Sequence, residues 1–182
     1  MSRTIRSIVV VLVAAGLFAG CGSEEDKGNF ATGPIGERTD AVGSVTVEAS
    51  NDLIEFAEAG GRRFGQINPD SLVVVERSKN DDEVITKLCQ AEIEIGFVTG
   101  GLSSDQERKC DEQGVEFASV EAAPDGGTML VRKGAVEEPT VKEIAQFFLR
   151  ENDEISRLVG VDAIDGGAID TGIAELDRLG GS

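Results

Sequence analysis

Histidine, tyrosine and tryptophan are absent from the 182-residue sequence. Without histidine the chain lacks the commonest general base and the commonest metal ligand, so most hydrolase and zinc-site schemes lose a member. Neither a GxSxG nucleophile motif nor an EF-hand calcium loop occurs. Asp81, Asp82 and Glu83 could form an acid–base pair or a calcium site, but their positions fit the first turn of a helix better. We therefore expect a protein that is not an enzyme and holds no metal or cofactor.

Basic residues are scarce, with 17 Lys and Arg against 34 Asp and Glu and a net charge of −17. Two of the basic residues, Arg3 and Arg6, precede the main apolar run, so the chain after residue 20 carries 15 against 34, or −19. This balance argues against binding nucleic acid and against broad adhesion to anionic lipid. It also opposes the capture of a free anion.

Long hydrophobic runs are also missing apart from Ile8–Ala19, which is too short to span a bilayer comfortably. Arg3 and Arg6 before it and small residues after it are typical of a signal peptide. The stretch Leu17-Phe18-Ala19-Gly20-Cys21 fits a lipobox, and the alternative is a plain secretory signal with a chance cysteine. We expect a signal peptide over 1–20, a flexible tether over 21–43 and an α/β domain over 44–182. We also expect lipid to be attached to Cys21, so that the protein is extracytoplasmic and held to the membrane by this lipid.

Cys89 and Cys110 are the other two cysteines. In an exported protein two thiols favour a disulfide, which would stabilise a loop of about 20 residues by roughly 3 kcal/mol. Two separate buried thiols are the alternative.

Hydrophobic periodicity predicts strands alternating with helices that carry side-chain caps. The predicted strands are Ser44–Glu48, Ser71–Glu76, Glu94–Val98, Val115–Ala123 and Thr128–Lys133. The predicted helices run from Ser50 or Asn51 to about Phe64, from Asp81 to about Gln90, from Ser103 or Ser104 to near Gly114, from Thr140 to about Val159, and over Thr171–Leu179. The residue pairs with capping-box spacing are Asn80 and Glu83, Ser103 and Gln106 or Ser104 and Glu107, and Thr140 and Glu143. This order predicts a mostly parallel sheet with helices on both faces.

Ligands of such sheets bind at the carboxyl ends of the strands, where loops lead into helices. Three loops here, at 48–52, 77–82 and 98–103, each place a hydroxyl or amide side chain beside a helix start, a suitable place for an anion. The same residues also serve as ordinary helix caps. The candidate ligand residues are Ser50, Asn51, Ser78, Lys79 and Thr99.

The order of elements and four segments of the chain resemble those of one known family. These segments are Lys87-Leu88-Cys89, Arg108-Lys109-Cys110, the Ala123-Pro124-Asp125-Gly126 turn and the stretch 139–164. In these features the chain resembles the phosphate-binding lipoproteins of ABC importers, the PstS group. The resemblance covers about residues 45–164. It implies a lobe of the periplasmic-binding-protein fold, phosphate or another oxyanion as ligand, and an ABC permease or other envelope protein as partner. Ser50 matches a ligand-loop hydroxyl of that group, and Ser78 or Lys79 matches a second.

The chain departs from this group in two ways. Only Lys133–Glu138 lies where the group inserts a second lobe, and the aspartate that accepts the phosphate proton would fall near Thr99. Asp52, Asp81 and Asp82 put negative charge into the loops, and one such charge at about 4 Å opposes an anion by roughly 4 kcal/mol per unit charge. We expect an extracytoplasmic, lipid-anchored protein that resembles the phosphate-binding component of an ABC importer. The alternative is a one-lobe relative that binds no phosphate and acts as an anchored protein-interaction module.

Overall fold

The computed structural model describes Thr39 and residues 41–180. The predicted signal peptide, the lipid-bearing Cys21 and most of the predicted tether lie outside these residues. The strand β1 (Gly43–Ala49) begins one residue before the predicted domain boundary. Ala41 is already buried, and its carbonyl accepts a hydrogen bond of 2.6 Å from the Ser71 hydroxyl.

The sheet has five strands in the order β2-β1-β3-β5-β4. The central pairings of β1 with β2 and with β3 are parallel, whereas β5 runs antiparallel to both of its neighbours. The prediction of an α/β fold with a mostly parallel sheet is therefore confirmed. The remaining strands are β2 (Ser71–Arg77), β3 (Ile95–Val98), β4 (Phe117–Ala123) and β5 (Gly127–Arg132), with a single 3-10 turn at Pro124–Gly126 between the last two.

Helices cover both faces of the sheet. They are α1 (Ile54–Ile67), α2 (Asp81–Cys89), α3 (Ser104–Glu112), α4 (Lys133–Val136), α5 (Pro139–Arg150), α6 (Asn152–Val159) and α7 (Gly166–Leu179). The larger apolar core lies between the sheet and α1, α5, α6 and α7, and a smaller one lies under α2 and α3. Alternation in β1 sends Val45, Val47 and Ala49 into the larger core.

Five phenylalanines form the centre of the larger core. The ring of Phe97 on β3 lies 4.8 Å from that of Phe148 and 5.8 Å from that of Phe56, centroid to centroid. Phe64 meets Phe147 edge to face at 5.2 Å. Phe56 and Phe64 therefore lie on the inward face of α1.

Cys89 at the end of α2 and Cys110 in α3 form a disulfide with their Cα atoms 4.6 Å apart. Both residues are buried in the smaller core. The prediction of a bridge, and not two separate thiols, is confirmed.

Several predicted helix boundaries are wrong. Ser50 and Asn51 do not cap α1, which begins at Ile54 and has no side-chain cap. The Thr140–Glu143 capping box is absent, because the Thr140 hydroxyl donates instead to the Val42 carbonyl at 2.9 Å. The predicted helix to Val159 divides into α5 and α6. The last helix begins at Gly166, five residues before the predicted start, where the Asp165 side chain caps it.

Candidate functional site

The carboxyl ends of β1, β2 and β3 lead into the starts of α1, α2 and α3, and these three junctions surround one open cleft of about 400 Å³. This is the edge at which parallel sheets place their ligands. Four of the five predicted ligand residues line the cleft, namely Ser50, Asn51, Lys79 and Thr99. The other lining residues are Asp52, Asn80, Asp81, Asp82, Ile85, Gly100, Gly101 and Gln106.

Ser78, the fifth predicted residue, does not line the cleft. It is buried, and its hydroxyl donates to Oε1 of Glu48. Glu48 is fully buried on β1, and the same oxygen also accepts a hydrogen bond of 2.6 Å from the Lys87 ammonium of α2. This hydrogen bond, opposed in part by burial, raises the pKa of Lys87 above its usual value. Ser78 therefore supports a buried ion pair beside the cleft.

Ser50 lies at the end of β1, where its backbone N–H donates to the Phe97 carbonyl at 3.1 Å. Its side chain is only 3% exposed, and among the described residues its hydroxyl has no hydrogen-bond partner. A buried hydroxyl without a partner costs free energy. Ser50 is thus the cleft residue whose hydrogen bonding is incomplete.

Thr99 follows β3, and both of its donors are occupied by a carboxylate of the chain. Its hydroxyl donates to Oδ2 of Asp81 at 2.6 Å, and its backbone N–H donates to the same oxygen at 3.1 Å. Asp81 is the first residue of α2, where the helix dipole favours a negative charge. An oxygen of Asp81 thus takes the place of an anionic ligand at this threonine.

The start of α2 is closed in the same way. The backbone N–H of Lys79 donates to Oε2 of Glu83 at 2.9 Å, and the N–H of Glu83 donates to Oδ1 of Asn80 at 3.0 Å. Asn80 therefore caps α2 as predicted, but the predicted capping box is incomplete, because Glu83 accepts from the N–H of Lys79 and not from that of Asn80. These backbone donors are unavailable to an external anion.

The start of α3 carries a complete capping box. Ser103 and Gln106 form it, which confirms the first of the two predicted pairs. The Gln106 amide reaches further and donates to Oδ1 of Asp82 at 2.7 Å. This contact joins α3 to α2 across the cleft. The sequence offered no signal for it, since Gln106 and Asp82 are 24 residues apart.

The side-chain amide of Asn51 lies in the wall of the cleft and is already bonded to other groups of the chain. Its side-chain nitrogen donates to the Lys79 carbonyl at 3.0 Å, and its oxygen accepts from Arg77 at 3.3 Å. These bonds hold the loop after β1 against the loop after β2. Among the charged side chains that line the cleft, three are carboxylates and one, Lys79, is an ammonium.

A larger hollow of about 980 Å³ lies between the edge strand β4 and α7. Gly172 lets α7 pack closely on α5 there, because a Cβ on this residue would lie 3.0 Å from Cδ1 of Leu149. The hollow is lined mainly by one helix, and the loops that follow β1, β2 and β3 do not reach it.

No three His, Cys, Asp or Glu side chains within the described part of the chain are arranged to hold a metal ion. Over the same residues, no helix has the length and apolar content to cross a membrane.

The fold has a close counterpart among solved structures. A crystal structure of a possible phosphate binding protein from Planctomyces limnophilus DSM 3776 superposes with a TM-score of 0.71. The match covers 76% of this chain and 99% of that chain at 9% sequence identity. The likeness establishes the α/β fold of a single lobe.

Two longer proteins match over a smaller part. One, from Clostridium perfringens, is assigned as a phosphate ABC transporter substrate-binding protein with bound phosphate, with a TM-score of 0.35, 18% identity and coverage of 42% of this chain and 29% of that one. The other is PstS from Borrelia burgdorferi, with a TM-score of 0.34, 17% identity and coverage of 42% and 28%. Matches with TM-scores this low do not establish a shared fold. No protein-family model and no curated protein matches the sequence.

Proposed function

We propose that this chain is a lipid-anchored, extracytoplasmic protein with the one-lobe fold of a solute-binding protein, and that it recognises an envelope partner instead of capturing free phosphate. The observation that carries the proposal is the pair of hydrogen bonds from Thr99 to Asp81. Donors that would stabilise an oxyanion already end on the chain's own carboxylate. An ABC permease or another envelope protein is the proposed partner, and the description of the Planctomyces limnophilus neighbour as a possible phosphate binding protein supports a function without catalysis.

Isothermal titration of the lipid-free protein (residues 21–182) with phosphate tests this proposal. We expect no saturable heat at millimolar phosphate, because three carboxylates line the cleft. A triple variant, Asp52→Asn, Asp81→Ser and Asp82→Asn, removes that charge and releases both donors of Thr99. It should acquire measurable phosphate binding.

The matched control is Asp111→Asn, Asp153→Asn and Asp162→Asn, which removes the same charge at three exposed positions that do not line the cleft. This control should stay silent toward phosphate. Saturation of the unaltered protein at micromolar phosphate would show that the carboxylates do not block the cleft, and the proposal would fail.

Oxyanion binding is the second candidate function. It is favoured by the unpartnered hydroxyl of Ser50 and by the Lys79 side chain, since both can donate to an anion from the wall of the cleft. If the titration saturates with the unaltered protein and Ser50→Ala abolishes the heat, this candidate replaces the first.

The lipid anchor is a separate part of the proposal and rests on the apolar run 8–19 and the lipobox before Cys21. Expressed from the full sequence, the protein should partition into the detergent phase and label with a radioactive fatty acid. Cys21→Ser should abolish both properties. Equal labelling of the variant would mean that Cys21 is not the lipid site.

A further inference from the structure

Several hydrogen-bond donors of the cleft are bonded to groups of the chain itself. Both donors of Thr99 end on Asp81, and the side-chain amide of Gln106 ends on Asp82. The backbone donor of Lys79 ends on Glu83. These four donors are therefore not free to bind an incoming anion.

Acceptors are in surplus. Within the described residues, Oδ1 of Asp81 and Oδ2 of Asp82 accept no hydrogen bond, since the contacts of these residues use the other oxygen of each. Neither oxygen of Asp52 is bonded over the same part of the chain, although Asp52 lines the cleft. An ionised carboxylate can accept but not donate. With Lys79 included, the charged side chains that line the cleft sum to −2 (three carboxylates and one ammonium).

Ser50 supplies an independent observation. Its side chain is 97% buried, lines the cleft and has no partner for its hydroxyl within the described residues. Its backbone N–H is already bonded to Phe97, so only the side chain is unsatisfied. A hydroxyl oxygen accepts from an N–H as readily as it donates. A ligand group that enters the cleft would supply the missing partner.

We infer that the cleft binds a guanidinium or ammonium group, and not an oxyanion, with Asp52, Asp81, Asp82 and Ser50 as its acceptors. Such a group carries several N–H donors and a positive charge, and guanidinium pairs with carboxylates through two parallel hydrogen bonds. This inference rests on the proposed function and specifies the chemistry that the partner presents. A basic side chain of the envelope partner supplies the group, and a free basic amino acid, the other source of the same chemistry, is an outcome of the test.

Titration of the lipid-free protein at low salt with two probes distinguishes these sources. One probe is free arginine, and the other is the blocked peptide acetyl-Gly-Arg-Gly-amide. Citrulline, and the same peptide with citrulline, are the matched neutral ligands, because they keep the shape and lose the charge. We expect saturable heat with at least one arginine probe, none with its citrulline analogue, and weaker binding as salt is added. The probe that binds more tightly identifies the source.

Variants locate the site. Asp52→Asn and Asp81→Asn should each weaken arginine binding roughly fivefold, about the effect of one partly exposed ion pair. Asp153→Asn, which changes the net charge equally on the exposed surface of α6, should leave it unchanged. Ser50→Ala should weaken arginine binding. If Ser50 had only a structural role, the Ser50→Ala variant would be more stable and would bind arginine with unaltered affinity.

Three results would overturn the inference. These are no heat with either arginine probe at millimolar concentration, equal heat with citrulline, or an equal loss of affinity in Asp153→Asn. A phosphate titration in the same series separates the two proposals. Phosphate binding by the unaltered protein overturns the proposed function itself, whereas silence toward both phosphate and arginine removes only the cation site.

Discussion

Gly60 lies in the middle of α1, where the helix passes over the ring of Phe148. A Cβ at this position would lie 2.1 Å from Cε1 of Phe148. The ring is fully buried and packs against Phe56 and Phe97, so it has little room to withdraw. Glycine is needed at residue 60 for close packing, although it lowers the intrinsic stability of the helix.

Gly60→Ala should therefore lower the free energy of unfolding by about 2 kcal/mol, the usual cost of overpacking a core. Gly65→Ala is the matched control in the same helix, because nothing lies within 4 Å of its added Cβ. That control should raise stability by up to about 1 kcal/mol through helix propensity. Urea unfolding followed by circular dichroism measures both. Equal effects of the two substitutions would contradict the packing argument.

Glu48 is a buried carboxylate whose hydrogen-bond donors are Lys87 and Ser78. Lys87→Met removes the balancing charge and should destabilise the protein by about 2 kcal/mol at neutral pH. Lys109→Met, on the exposed surface of α3, should have little effect. Because the pKa of Lys87 is raised in the folded state, its contribution is complete below about pH 10.5 and is lost as the pH rises through the folded value.

Denaturant unfolding of the unaltered protein and of Lys87→Met between pH 7 and the alkaline range tests this. The free energies of unfolding of the two proteins should become equal at alkaline pH, because Lys87 is then uncharged. A constant difference would show that packing of the Lys87 stem, and not its charge, stabilises the fold.

Ser50 and Ser78 show what the sequence could not determine at this scale. Both are hydroxyls at the carboxyl end of a parallel strand, and both were predicted as ligand residues. The structure separates them because Glu48, 30 residues before Ser78, accepts one hydroxyl and leaves the other unpartnered at the cleft. The alternating pattern of residues 44–48 correctly predicts a strand. The ion pair of Glu48 with Lys87, however, joins residues 39 positions apart and has no local sequence pattern.

At the scale of elements, the disulfide fixes α3 to α2, and the starts of both helices form one side of the cleft. The double variant Cys89→Ala and Cys110→Ala opens a link between residues 21 positions apart. It should lower the free energy of unfolding by about 3 kcal/mol, since the unfolded chain regains the entropy of that loop.

Urea unfolding in a background that lacks Cys21 measures this without stray thiols. Reduction of the unaltered protein should produce a similar loss. A loss of less than about 1 kcal/mol in both experiments would mean that contacts under α2 and α3 already constrain the unfolded chain.

Helix starts could be predicted only where local bonds decide them. The side-chain caps at Asn80 and Ser103 are predicted from spacing and are present, although only the pair Ser103 and Gln106 forms a complete capping box. The equivalent spacing at Thr140 is overridden, because its hydroxyl bonds to Val42, 98 residues away. The break between α5 and α6 has a similar long-range partner, since the buried Asn152 amide donates to the Ala122 carbonyl on the edge strand β4. Such tertiary contacts are invisible to a pattern of local residues.

The charge balance acts on the whole molecule. Acidic residues outnumber basic ones two to one, 34 against 17. Many of the ion pairs join residues three or four apart on one exposed helix, such as Arg108 with Glu112 and Arg178 with Glu175. Pairs of this kind contribute little to stability. The excess of negative charge therefore repels itself across the folded surface, and an unfolded chain would spread it further apart.

Sodium chloride should consequently stabilise the protein. Between 0.01 M and 0.5 M salt the screening length falls from about 30 Å to only a few ångströms, so repulsion between distant carboxylates should largely vanish. We expect the midpoint of thermal unfolding of the lipid-free protein to rise by a few degrees. The exposed triple variant Asp111→Asn, Asp153→Asn and Asp162→Asn should melt higher at low salt and respond less to added salt. A midpoint that falls with salt would instead mean that the ion pairs outweigh the repulsion, and that the acidity of this surface is compatible with a stable fold without screening.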